Sequence, residues 1–300
     1  MLKQQKRKPL ITKDAISAYL LILPFFLFFA AFVLYPLIQN FFNSFTNYSL
    51  GSKEYTGISN YMKLLRDQSF LRSVQNTLVY AVCSILPLMV LGFVASLCVN
   101  RQSRLMFAAR ALLMVPYVSS MVAVSMIWLY MFEPGAGLFN KALWALGLQG
   151  SDWLFDERLA LPCLIVVNIW KNMGYVMILY LAALQGVPQS LYDAARVDGA
   201  GFLRSTWHIT LPSIRLVSFF LLATLSIECF KTFEQVRIMT NGGPVDATTT
   251  ITHQIYMRAF SEFKMGYASA MSVVLFLIIF VITILNLKFG GQMPESRGKR

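Results

Sequence analysis

The sequence predicts an all-α integral membrane protein of six transmembrane helices. Two observations carry that expectation: a composition too apolar for a soluble domain, and six long apolar runs separated by short basic or turn-rich links. Hydrophobic residues make up 57% of the 300 and charged residues 13%, about half the usual globular share. The mean hydropathy is +0.58. The 24 Phe and 13 Tyr suit a chain that faces lipid and its interfaces.

A bilayer core needs about 20 mostly apolar residues in a helix. After a basic N-terminus (1–14), the first span runs over about 15–42 without a charge. Its apolar run far exceeds the roughly 7–15 residues of a signal peptide, and no small-residue cleavage site closes it, so it reads as an uncleaved helix. The second span covers about 73–99 and the third about 111–132. The fourth, about 159–185, is interrupted by Lys171; the fifth, about 212–233, carries Glu228 and Lys231. The sixth, about 265–287, is uncharged and leads into the tail 288–300. Pro24, Pro36, Pro87, Pro116 and Pro162 lie in or at the ends of spans, where prolines bend helices.

Six spans put both termini on one face. With the 100–110 and 186–215 loops, that face holds 15 Lys and Arg against 4 Asp and Glu, whereas the other face holds 9 of each. The positive-inside rule assigns the basic face to the cytoplasm. The net charge of +12 is thereby a topology signal, and its spread over short loops and tails argues against a nucleic-acid partner. Cys83, Cys98, Cys163 and Cys229 all lie in apolar runs and read as small buried hydrophobes; no metal site is expected.

Charges inside spans are costly and default to functional hypotheses. Counted from the basic face, Lys171 and Asn172 lie roughly 13–14 residues up their span and Glu228 roughly 15–16 up its own. At about 1.5 Å per residue these depths are similar and near the midplane. A Lys171–Glu228 ion pair is therefore expected, with Trp170, Asn172, Tyr175 and Lys231 joining it along a polar pathway suited to sugars. The alternative is that the lysines snorkel, or that the pair only staples two helices.

The longest link on the basic face, 186–211, has a pattern of its own. Ser190 can cap a short helix, along which Leu191, Ala194 and Ala195 place apolar and small side chains able to sit in a partner's groove. Gly199 and Gly201 can end that helix and turn the chain. A second short helix over 202–208 leads to Leu211-Pro212, with proline suited to the first turn of the next span. His208 lies there and is assigned no chemistry. On the other face, Asn241-Gly242-Gly243-Pro244 reads as an external turn, either a contact for a delivery protein or a tight connector.

Asp193-Ala194-Ala195, three residues, Gly199, nine residues, then Ile209-Thr210-Leu211-Pro212 resembles the cytoplasmic signature of binding-protein-dependent ABC importer permeases. The first position departs, with Asp193 where that family most often has Glu. The segments 56–80, 137–148, 159–188 and 240–244 are similar to the carbohydrate-uptake, maltose/glycerol-phosphate-type branch. The resemblance implies the type I ABC importer permease fold. It also implies a second six-span permease in a heterodimer, two ATPase subunits, and an extracytoplasmic solute-binding protein. The Asp193–Gly199 helix would be the coupling helix, with Asp193, Ala194, Ala195, Gly199, Ile209, Leu211 and Pro212 facing the ATPase. The location would be the plasma membrane of a prokaryote. This chain carries no phosphate-cradling G-x-x-x-x-G-K-[ST] loop, since its one Gly-Lys pair, Gly298-Lys299, is followed by Arg300. It is therefore expected to be no enzyme and to bind no cofactor, with ATP and Mg held by the partner ATPase. The rival is an ATP-independent secondary transporter or channel; its usual paired repeats are not evident, and it leaves the 185–214 segment unexplained.

Overall fold

A computed structural model of the chain describes residues 13–49, 51–101 and 103–290, with backbone alone at 13–18 and Phe289. Most of the basic N-terminus and positions 291–300 of the tail lie outside the described residues. Among the described residues, fifteen α-helices follow one another and no β-strand forms. α1 (Lys13–Phe29) runs through a π turn at Ala30–Leu34 into α2 (Tyr35–Asn43), and a short α3 (Ser59–Leu64) leads to the long α4 (Gln68–Val99). α5 (Arg104–Val118), α6 (Met121–Met131) and α7 (Leu138–Ala145) precede α8 (Ala160–Gln185). The connecting loop holds α9 (Gln189–Val197), α10 (Phe202–Ser205) and a one-turn α11 (Leu211–Ser213). α12 (Arg215–Phe230), α13 (Glu234–Met239), α14 (Ile251–Tyr256) and α15 (Met265–Gly290) complete the order.

Among the described residues, five helical stretches are long and apolar enough to cross a membrane: Tyr19–Asn43, Gln68–Val99, Ala160–Gln185, Arg215–Met239 and Met265–Lys288. The sixth crossing corrects the sequence expectation. Instead of one straight helix over 111–132, the chain forms α5 and α6, bent by 95° at Ser119–Ser120. The causes are local: Pro116 removes a hydrogen bond in the last turn of α5, and both serines take extended backbone. The second span also starts earlier than expected, at Gln68, because Asp67 accepts hydrogen bonds from the amides of Ser69 and Phe70 and caps it. Two π turns, Ala30–Leu34 and Thr206–Thr210, each end two residues before a proline, Pro36 and Pro212. A proline clashes with the carbonyl four residues back, and the wider turn relieves that clash.

The core is a layered pack of spans. α4 lies along α8, α5 covers another face of α8, and α12 packs against α4 and α15. α6 meets α13, so the two interrupted spans lock onto each other. Two glycines permit the close approaches. A Cβ on Gly92 would sit 2.5 Å from a methyl of Val176, and one on Gly174 would sit 2.0 Å from the carbonyl oxygen of Leu113. The first span buries none of its described side chains and touches the rest chiefly through α2 against α15. Cys163 and Cys229 are buried as expected, but Cys83 and Cys98 lie on the outer surface of α4, where a thiol is apolar enough to face lipid.

Candidate functional site

The bend between α5 and α6 and the break between α12 and α13 both face the middle of α8. Together they leave a cleft of about 580 Å³, lined among others by Tyr117, Asn168, Lys171, Asn172, Glu228, Lys231 and Glu234. An adjoining space of about 220 Å³ continues past Tyr175 and Thr224. Lys171 is the twelfth of the 26 residues of α8, so the cleft lies at mid-span. Helix breaks at such depth are tolerated where they line a cavity rather than lipid.

The expected Lys171–Glu228 ion pair does not form: no nitrogen–oxygen approach within 4.0 Å joins them among the described residues. Lys171 instead turns its ammonium onto the carbonyls at the broken end of α5, 3.0 Å from Tyr117 O and 3.4 Å from Pro116 O. The last carbonyls of a helix lack intrahelical partners and carry its negative dipole end, so a cation is favoured there. Lys171 also sits 5.6 Å from the centroid of the Tyr117 ring, which stacks on Tyr175 at 4.8 Å. Glu228, Lys231 and Glu234 are exposed at the cleft and make no salt bridge among the described residues.

Trp170 does not line the cleft. It turns to the other side of α8 and meets Trp128 edge-on at 5.4 Å, in an aromatic cluster with Phe132, Phe139 and Trp153. Asn168, Lys171, Asn172 and Tyr175, spaced i, i+3, i+4 and i+7, share one face of α8, and Trp170 points to the opposite side. The sequence reading missed Tyr117, Asn168, Glu234 and Gln235. Asn172 donates 2.8 Å to the side-chain oxygen of Asn168, and an i, i+4 amide pair inside an apolar run was a signal available for it. Gln235 is fully buried, accepting from Tyr80 Oη at 2.8 Å and donating to Leu164 O at 2.6 Å. It ties α13 to α4 and α8 and so fixes the floor of the cleft.

At the other end of α8, the chain leaves the spans to build the α9–α11 loop. α9 starts at Gln189 with Pro188 as its cap, so Ser190 lies inside the first turn and caps nothing. Its end is as expected from glycine: Gly199 takes φ +72°, and Ala200 N–H returns to Ala195 O at 2.8 Å. Asp193 accepts from Gln189 at 3.3 Å and lies 3.5 Å from Arg196, both within α9. Ala194 is exposed, Ala195 half-buried. Ile209 belongs to the π turn, Leu211 and Pro212 to α11, and the span begins beyond them at Arg215. His208 is exposed with Nδ1 3.0 Å from Arg204 O. Val197 is 88% and Leu203 80% exposed, beside exposed Leu191, Phe202 and Trp207. Five large apolar side chains are thus bare outside the spans.

The Asn241–Pro244 turn is tightly held. Gly242, at φ +86°, has no room for a Cβ, which would meet Thr249 Oγ1 at 2.5 Å. Thr248 Oγ1 donates to Gly243 O and Thr249 Oγ1 to Gly242 O. Asn76 of α4 donates to the carbonyls of Asp246 and Thr249, at 2.8 and 3.0 Å. His253, buried beneath the turn, has its pKa pushed down by burial and by the charge of Arg237, with Asp246 opposing.

Residues 88–290 match the family described as binding-protein-dependent transport system inner membrane component. The chain belongs to this family. It is a transport permease and a multi-pass membrane protein, not an enzyme. Relatives span nearly its full length. One is the probable ABC transporter permease protein YurN of Bacillus subtilis, 32% identical over 93% of this chain and 98% of its own. Another is the sn-glycerol-3-phosphate transport system permease protein UgpA of Yersinia pestis, 35% identical over 90% and 92%. A third is the diacetylchitobiose uptake system permease protein NgcF of Streptomyces coelicolor, 34% identical over 98% and 89%. Among solved structures, a bacterial ABC transporter involved in the import of the acidic polysaccharide alginate superposes with a TM-score of 0.85 at 24% identity, over 94% of this chain and 98% of that one. That likeness shows the type I permease fold.

Proposed function

We propose that this permease is one of two six-span subunits of an ATP-driven importer and passes a carbohydrate through the cleft between α5, α8 and α12. One observation carries the reading: Glu228, Lys231 and Glu234 stand at the cleft without salt-bridge partners in the described chain. Unpaired charge cannot face lipid at that depth without a large cost. A water-filled pathway shared with a second subunit removes the cost. Amides, paired tyrosines and charges of both signs suit a ligand with many hydroxyls and an apolar ring face. UgpA is named for an sn-glycerol-3-phosphate transport system and NgcF for a diacetylchitobiose uptake system, which supports a carbohydrate class.

The bare apolar face of α9 and α10 is the seat for an ATPase subunit, which holds ATP and Mg. The excess of basic residues at that end sets it, and both termini, in the cytoplasm. A solute-binding protein delivers the sugar to the other end. ATPase closure then rocks the permease pair between its two open states as rigid bodies.

The test is to tag the chain in its native membrane, extract it in mild detergent and identify what copurifies. A second six-span permease and an ATPase are expected, and Val197→Asp should release the ATPase while leaving the permease pair intact. A chain that emerges alone under several detergents would sink the reading.

A further inference from the structure

At the end of the bundle opposite α9, a cavity of about 480 Å³ opens between the loop after α2, α3, the turn into α4 and the segment leading into α15. Lys63, Arg66, Arg258 and Lys264 line it, against one lining carboxylate, Asp67. They are four of the nine basic residues on a face that holds nine acidic residues in all, so basic charge is concentrated here. The inner wall is built. Arg258 lies 3.5 Å from Asp67 and 2.6 Å from Glu262, Lys264 lies 2.7 Å from Glu262, and Tyr267 donates to Asp67 at 2.7 Å. Arg258 Nε is buried with no hydrogen-bond partner, and neither Lys63 nor Arg66 pairs with a carboxylate within 4.0 Å among the described residues. The cavity thus holds uncompensated positive charge, chiefly at Lys63 and Arg66.

A second observation says what kind of anion fits. Ile58, Met62 and Leu65, spaced i, i+4, i+7, form one face of the α3 segment and are 65%, 49% and 71% exposed. The opposite face is anchored, with Asn60 donating to Ser44 O and Thr46 O at 2.9 Å each. A short helix at the end of a span, with one apolar face bare and cations beside it, has the layout of an interfacial segment. We propose that this cavity binds the phosphate of an anionic phospholipid, with its acyl chains along Ile58, Met62 and Leu65. Arginine and lysine supply charge-assisted donors to phosphate oxygens, and the apolar face separates a lipid from free phosphate.

The experiment uses the full-length chain with its copurifying subunits and measures retention of phosphatidylglycerol and phosphatidylcholine by native mass spectrometry. Phosphatidylglycerol should be retained preferentially. The exposed pair K63Q/R66Q should weaken it about 30-fold, corresponding to ~1 kcal/mol per cation, while K141Q on α7 leaves it unchanged. M62S/L65S should weaken both lipids. Three results would overturn the proposal. One is equal retention of the two lipids. Another is millimolar inorganic phosphate displacing the lipid, with M62S/L65S having no effect. The third is K63Q/R66Q leaving lipid retention intact while losing a copurifying acidic protein, which would make the cluster a protein-docking site.

Discussion

Replacing Gly174 by alanine should loosen the α5–α8 contact that shapes the cleft. The added Cβ would lie 2.0 Å from Leu113 O, 2.7 Å from Leu113 C and 3.1 Å from Met114 Cα. The nearest of these falls about 1.4 Å short of the 3.4 Å at which ordinary contact begins, and all three are backbone atoms that no rotamer change can move. α5 must shift as a body, at the upper end of the ~1–3 kcal/mol cost of overpacking. Alanine recovers roughly 0.5–1 kcal/mol of helix propensity, leaving about 2 kcal/mol of net loss. At about 2.1 cal/mol/K of unfolding entropy per residue, a chain of 300 residues then loses roughly 3 °C in Tm. The shift also draws Tyr117 away from Tyr175 and from Lys171, so transport should fall by more than stability alone explains. The assay is thermal unfolding of the purified permease with its partners, beside solute uptake in vesicles. Gly201→Ala, with nothing within 4 Å of its Cβ and an ordinary φ, is the neutral control. A G174A protein as stable as the parent would refute the close packing of α5 on α8.

The absent ion pair makes a sharp second test: K171E and E228K should each impair uptake, and the double reversal should not restore it. K171M should also destabilise the bend, by about 2 kcal/mol after relief of lysine desolvation is set against the lost charge-assisted hydrogen bonds; recovery of uptake in the double mutant sinks this account. Asn140, buried on α7, donates to Pro134 O and Ser151 O and accepts from Ser151 N and Trp153 Nε1. N140A should therefore cost about 2–4 kcal/mol, read as faster proteolysis in the 134–153 loop. His253 has a folded pKa below its ordinary 6.5, so the unfolded chain takes up the proton first. Its contribution to stability is complete above about pH 6.5 and is lost as pH falls below that value. H253Q should flatten the slope of Tm against pH in that window; an unchanged slope would exclude the histidine as its source.

Much of the architecture was legible because apolar runs have to be long enough to cross a bilayer, and that requirement is written in one dimension. The run from Tyr19 to Asn43, for example, needs no partner to be read as a span. The α9 loop was legible for a related reason. Glycine at a left-handed turn and proline at a helix start act through the backbone of their own neighbours. The cleft was less legible. α8 is buried on most of its sides, so its apolar periodicity gives no facing direction, and Trp170 and Lys171 could not be told apart by position.

The sequence by itself determined the solvent, the number of spans and the distribution of charge between the two faces, since each depends only on local composition and order. Only the tertiary structure decided where the third span breaks and which residues its bend exposes. Pro116 and two serines permit a bend, but its end is held by Lys171, more than fifty residues further on. A lysine at mid-span needs some polar partner. Whether that partner is a carboxylate or the carbonyl end of a broken helix depends on how closely two helices pass, and here that distance is set by Gly174.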